Sequence, residues 1–307
     1  MTDDSGNLFG SLPSNIKALT TLANRAVDAG EPDYLPAFFC HVGLPRSNYD
    51  GLSFERQSGT VSLQIEGGKT FDGKNWQQQP IPYGAIPRLA LIHITSEAVR
   101  TQSPIVDVGT SVYAFLEALG VSNSQAMRQR ARKQMIALGA CHMRLGRVLE
   151  RDGKHFAQTV DAKPFNQFEA WISETEGQRA LWPTSLTLTE PFFTAIINSA
   201  VPLRHDALAQ LSGSALALDI YSWLAHRLCR VKRGGAEISW SALAEQFGQE
   251  YTDRKNFKRR FVAQLHNVLK AYPEARVEVI HGGIRLETSP TPIPKSTVRR
   301  LKPKSPK

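Results

Sequence analysis

Two stretches of this chain carry side chains able to recognise a polyanion. DRKNFKRRFV (253–262) sets five basic residues among ten, and SNSQAMRQRARKQM (122–135) interleaves arginine with glutamine. An arginine fork can grip the O6 and N7 of guanine, and a glutamine or asparagine amide can pair with adenine in a major groove about 12 Å wide. Lysines and arginines farther along such a helix suit phosphate. The first stretch offers Arg254, Lys255, Asn256, Lys258 and Arg259, and the second offers Ser124, Gln125, Arg128, Gln129 and Arg132. A cationic helix face is also what plain solvation looks like, so the surrounding elements decide between the two.

Around the second stretch the spacing predicts a helix over 83–101 with Leu89, Ile92 and Val99 facing inward and Pro87 in its first turns. A short strand at 103–109 and a helix at 111–120 follow, the helix capped by Thr110 or Ser111 and striped by Tyr113, Leu116 and Leu119. After Gly120, Ser122 or Ser124 caps the basic helix 124–140, whose Met127, Ala131, Met135 and Leu138 face inward. Residues 141–160 read as a two-stranded ribbon turning at Asp152-Gly153, with Arg151 and Lys154 placed to reach a DNA backbone. Helix, strand, helix, tight turn, basic helix, hairpin is the order of a winged helix-turn-helix.

The order recurs after residue 204. Residues 207–234 form a long helix, or a turn feeding one, and AEISW (236–240) is the strand. Ser239 or Ser241 opens a helix ended by Gly248. Thr252 or Asp253 then caps the basic helix, where Phe257, Phe261, Leu265 and Val268 make the buried stripe. A hairpin over 275–288, turning at Gly282-Gly283, brings His281 and Arg285 near its tip. The expected fold is α+β, two tandem winged helix-turn-helix domains in a mostly helical chain with short β-hairpin wings. Its divisions are a partly flexible preface 1–45 with a helix at 15–27, a first domain 46–190, a second and principal DNA-binding domain 191–290, and a disordered basic tail 291–307. Within the first domain, 54–65 reads as a hairpin turning at Ser58-Gly59, 67–82 as a polar loop, and 164–190 as a connector packed by Trp171, Trp182 and Phe192.

Composition agrees with a polyanionic partner. The net charge is +9, and from Arg204 onward there are 19 Lys and Arg against 9 Asp and Glu, with 18 against 19 before it. Such asymmetry favours nucleic acid or an acidic membrane, but no apolar run reaches membrane-spanning length. The acidic, polar N-terminus is not a signal peptide, and Cys40, Cys141 and Cys229 suggest no disulfide scaffold, so a reducing, cytoplasmic setting is expected. There is no GxxxxGK[ST] phosphate loop, no HExxH and no paired CxxC. Cys40-His41 and Cys141-His142 read as buried cysteines beside ordinary histidines, so no enzyme, no metal and no cofactor are expected.

The chain resembles the plasmid-encoded RepA replication initiators of Gram-negative bacteria. The resemblance rests on FERQSGTVSLQI, IPYGAIPRLALIHITSEAVRTQSP, VDVGTSVYAFLEALG and SNSQAMRQRARKQM, and less distinctively on LALDIYSWLAHRL, ISWSALAEQFG and NFKRRFVAQLHNVLKAYP. It implies binding to repeated duplex sites (iterons) at a plasmid origin, origin opening, and recruitment of a host initiator and the replicative helicase. It also implies a monomer on iterons and a homodimer repressing its own gene at an inverted repeat. The helices at 124–138 and 252–270 become the two reading elements. A winged-helix transcriptional regulator bound to an inverted-repeat operator is the competing function. A partner-binding structural protein, which would show little salt-dependent DNA affinity, is a third.

Overall fold

The computed structural model describes residues 31–108, 111–167, 185–294 and 297, with the side chains of Arg151 and Gln167 left aside. The helix expected at 15–27, the tail beyond 297, and Trp171 and Trp182 lie outside these residues. The chain enters as strand β1 (Asp33–Pro36), whose four residues are all buried, and a 3-10 turn (Ala37–Cys40). A hairpin follows, β2 (Ser53–Ser58) and β3 (Val61–Glu66), turning at Gly59-Thr60 with Gly59 at φ +56°. The segment expected as a polar loop contains a second hairpin, β4 (Lys69–Phe71) and β5 (Trp76–Gln78). No apolar alternation announces it. It closes because the Asp72 carboxylate accepts the backbone N–H groups of Lys74 at 2.9 Å and Asn75 at 2.7 Å.

Helix α1 (Ala85–Thr101) is apolar on nearly every side and buries eleven of its 17 residues, which places it at the centre. It stops at Gln102, in the left-handed region just before Ser103-Pro104. Strand β6 (Ile105–Asp107) leads to α2 (Val112–Ala118), capped by Ser111, and α3 (Gln125–Ala140), capped by Ser124. Each serine oxygen accepts the N–H three residues on, satisfying a donor the helix leaves orphaned. In α2 Val112, Phe115 and Leu116 face inward, and Leu119 just past its end is buried too; of the expected stripe only Tyr113, 56% exposed, is corrected.

The ribbon is β7 (His142–Arg151) and β8 (Lys154–Asp161), joined at Asp152 (φ +51°) and Gly153 (φ +70°), the positive pair a two-residue hairpin turn needs. It does not stand alone. β7 pairs with β3, giving a four-stranded antiparallel sheet in the order β2-β3-β7-β8. β9 (Phe165–Gln167) and β10 (Ser185–Leu188) join β6 in a separate sheet.

The second half runs through α4 (Glu190–Ser199), β11 (Ala200–Leu203), α5 (His205–Leu211) and α6 (Ala215–Arg227). The stretch read as one long helix, or a turn feeding one, is thus two helices, parted where Ser214 leaves helical geometry to cap α6. Then come β12 (Ala236–Ser239), α7 (Trp240–Phe247), α8 (Arg254–Ala271), β13 (Val277–Ile280) and β14 (Gly283–Leu286). The sheet order is β12-β14-β13. The turn falls at His281-Gly282, one residue earlier than the spacing predicts. Gly283 already lies in the sheet, where a Cβ would come 1.9 Å from the Ile238 carbonyl oxygen.

The two halves share one hydrophobic cluster, from Leu35 and Phe39 through Leu89 and Ile92 to Leu224, Phe261 and Leu286. β1 pairs antiparallel with β11, so residues just after the N-terminal stretch complete the second half. Asp33 fixes this strand: His205 Nδ1 lies 2.8 Å from one oxygen and Arg100 Nη2 3.0 Å from the other. The fold is therefore mixed α+β, built from short antiparallel hairpins and several helices.

Candidate nucleic-acid interface

In α8 the residues Phe257, Phe261, Leu265 and Val268 are at most 2% exposed, as the stripe predicts. Burying them against α5, α6 and α7 turns the rest of the helix outward. Arg254, Lys255, Lys258, Arg259 and Arg260 are exposed and Asn256 half-buried. Lys255, Arg259 and His266 fall on the row opposite the stripe. Asp253 caps the helix, its two oxygens accepting Lys255 N at 2.9 Å and Asn256 N at 3.1 Å. Arg259 donates to Asn256 Oδ1 at 3.1 Å, and the Lys258 ammonium stands 4.7 Å above the Trp240 ring. Trp240 in turn ties α7 to the β13–β14 turn through the His281 carbonyl, 3.2 Å from Nε1. His281 and Arg285 are both exposed on that hairpin.

In α3, Gln125, Gln129 and Arg132 are exposed along one outward row. The Ser124 hydroxyl is occupied by the cap. Arg128 is half-buried and folds back to donate to the Asn123 carbonyl at 2.7 Å, so it braces the turn before the helix. The helix also exposes Arg130 and Lys133, absent from the residues singled out by sequence although they sit on the same outer surface. Lys154 is exposed on β8, and Arg151 lies opposite it in the register. Arg147 and Phe156 are also exposed on this ribbon; following the period-two alternation of β7 and β8 beyond the core would have found them.

Neither basic helix contains an aspartate or glutamate between its first and last residue. A solvated helix ordinarily interleaves acids at i±4 to neutralise its lysines and arginines. Here Arg254, Lys255 and Lys258 also crowd the positive end of the α8 dipole, which costs the isolated helix a few tenths to about 1 kcal/mol per charge. Charge placed at that cost is suited to an external anion.

A buried ionic cluster joins the two basic helices' supports. Asp219 of α6 accepts Arg88 Nε at 2.7 Å and Nη2 at 3.0 Å, and Arg46 Nε at 2.9 Å. Glu250, in the turn between α7 and α8, accepts the Arg46 backbone N–H at 2.8 Å and bonds Arg56 of β2. Burial opposes ionisation of both acids, but Arg88 and Arg46 outweigh it at Asp219, and Arg46 and Arg56 at Glu250, holding both below the ordinary carboxylate range. Arg56, 2% exposed, is pushed down to about 10 by burial and by Arg46 beside it. No local sequence pattern signals this cluster.

Cys40 and Cys141 are buried free thiols, Cys141 pushed up to about 12 by burial, while His142 is exposed and His41 meets the His226 ring edge-on. No group of metal-ligating side chains occurs among the described residues. No described helix is long and apolar enough to cross a membrane.

These features define a mixed α+β protein with two exposed, acid-free cationic helices, each preceded by a short capped helix and followed by a hairpin. The chain belongs to the family described as plasmid encoded RepA protein, whose pattern matches residues 81–242, more than half its length. The match takes in α3 and ends before α8. No curated protein matches it. Among solved structures, the crystal structure of selenomethionine derivatives of domains 2 and 3 of RctB is similar at 13% identity. It covers 79% of this chain and 88% of that one, with a TM-score of 0.51, a likeness of fold alone. Another crystal structure of RctB domains 2–3 is 14% identical over 78% of this chain and 83% of that one, with a TM-score of 0.47.

Proposed function

We propose that this chain is a plasmid replication initiator that binds repeated duplex sites through two tandem winged helices, spanning residues 46–190 and 191–290. The observation that carries the reading is the acid-free cationic surface of α3 and α8, each helix held by a buried stripe and flanked by a hairpin. Gln125, Gln129 and Arg132 read bases from α3, and Arg254, Lys255, Asn256 and Arg259 from α8. Lys258, Arg128, Arg151, Lys154, His281 and Arg285 serve backbone contacts. The family described as plasmid encoded RepA protein supports the placement. With no phosphate-binding loop in the sequence, opening of the origin draws on binding energy, DNA deformation and recruited host initiator and helicase. The monomer acts on iterons and a homodimer on an inverted repeat at its own promoter.

The test is a footprint of the purified protein on the DNA flanking its gene. Evenly spaced protection over direct repeats is expected. Protection of a single inverted repeat would move the assignment to a winged-helix repressor, and no protection at moderate salt would remove DNA binding altogether.

A further inference from the structure

The β7–β8 ribbon outruns its sheet. Pairing with β3 ends at Arg147, and the last bond from that hairpin is Val148 N–H to the Thr60 carbonyl at 2.9 Å. From Leu149 to the turn at Asp152 the ribbon stands clear, about 10 Å at strand rise. Alternation gives its two faces different chemistry. Met143 and Leu145 point into the core at 0% and 2% exposure, and the same face continues as Arg147, Leu149 and position 151. The register sets Gln158, Phe156 and Lys154 beside them. Glu150 and His155 fall on the other face, with Val148 and Ala157.

The core-side face thus carries a half-exposed aromatic, Phe156 at 48%, resting across from Leu149 and bracketed by exposed Arg147 and Lys154, with no carboxylate among these residues. The ribbon is tied to α3 by the chain itself, since α3 ends at Ala140 and β7 begins at His142. An apolar ring between two cations is poorly matched to water. It is well matched to a narrow groove walled by phosphates and floored by stacked bases.

We infer that Phe156 is a wedge that enters the minor groove next to α3 and unstacks a base step, with Arg147 and Lys154 gripping the two flanking strands. The inference rests on the DNA-binding reading above. The groove is about 6 Å wide, and apolar side chains entering it between base steps kink the duplex by roughly 20–90°. Such a wedge puts binding energy directly into weakened stacking.

The experiment uses the full chain and a random-sequence duplex pool, enriched for fragments the protein retains. Wild type is expected to make a thymine on one side of the protected site hypersensitive to permanganate and to bend the fragment by at least about 20° in energy-transfer measurements. Phe156→Ala should abolish the hypersensitive thymine and most of the bend while retaining the footprint, and Phe156→Leu should preserve both. Equal hypersensitivity and bend in Phe156→Ala would overturn the wedge and leave the DNA reading intact. Retention of no fragment by wild type would overturn both. If Phe156→Ala instead converts a DNA-free dimer to monomer in sedimentation and leaves the bend unchanged, the face is an interface between copies and the wedge is refuted. Unchanged thermal unfolding of both variants verifies that the fold is intact.

Discussion

Replacing Asp219 with Asn is the most direct perturbation of what holds the two halves together. The substitution keeps the side-chain volume and removes one of two carboxylates facing the guanidiniums of Arg46, Arg56 and Arg88. These side chains are only 9%, 2% and 7% exposed, so water screens them little. Removing one partner of a buried ion pair costs about 3–5 kcal/mol. Glu250 still serves Arg46 and Arg56, which puts the expected loss at the lower end, about 3 kcal/mol. For a chain of this size that corresponds to a fall in Tm of about 5 °C. Because the folded-state pKa values of Asp219 and Glu250 are lowered, their stabilisation is complete above the unfolded carboxylate range near pH 4 and is lost as pH falls through the lowered values. The gap between wild type and Asp219→Asn should therefore be constant from about pH 5 to 7 and close at more acid pH. Calorimetric scans across that range provide the assay. A Tm within ~1 °C of wild type at neutral pH would refute the reasoning, since three buried cations would then need only one counter-charge.

Three further outcomes follow from local geometry. Asp253→Ala removes the cap on both Lys255 and Asn256 and should cost about 1 kcal/mol in urea unfolding, with α8 fraying first in hydrogen exchange. Arg259→Ala removes a proposed base contact and should cost about 1–3 kcal/mol on the preferred sequence with the salt slope of log K nearly unchanged; uniform weakening across sequences with the slope lowered by about 0.9 would make it a phosphate contact instead. His205 has its pKa raised chiefly by the hydrogen bond to Asp33, so its stabilising contribution is present below the unfolded histidine value and lost as pH rises through the folded one. Its imidazole resonances should titrate above the ordinary histidine value in NMR, and Asp33→Asn should bring them back down.

Local periodicity makes the helices legible. The spacing of Phe257, Phe261, Leu265 and Val268 is enough by itself to turn the cations of α8 outward, and Ser111, Ser124, Ser239 and Asp253, each a cap candidate by residue type and position, all cap their helices. Tyr113 misleads because a seven-residue helix offers two turns, too few to separate its stripe from Phe115. What stays hidden depends on partners distant in sequence. No local pattern says that the ribbon pairs with β3, that β6 turns instead to β10, or that Arg46, Arg56, Arg88, Asp219 and Glu250 converge. The β4–β5 hairpin is invisible for another reason: its polar residues are held by the Asp72 turn rather than by burial.

The pairing of β1 with β11 also sets a timetable for synthesis. Asp33 leaves the ribosome long before its partner Leu203 exists. At 5–20 residues per second the wait is on the order of ten to thirty seconds. Through that interval the nascent chain carries Tyr34, Leu35, Phe38 and Phe39 with their later partners, strand β11 and helices α4 and α6, not yet made. The first half is thus born with an open seam that only the second half can close. A chaperone that shields apolar nascent segments would find its natural client in this stretch, and slowing translation should increase the yield lost to aggregation.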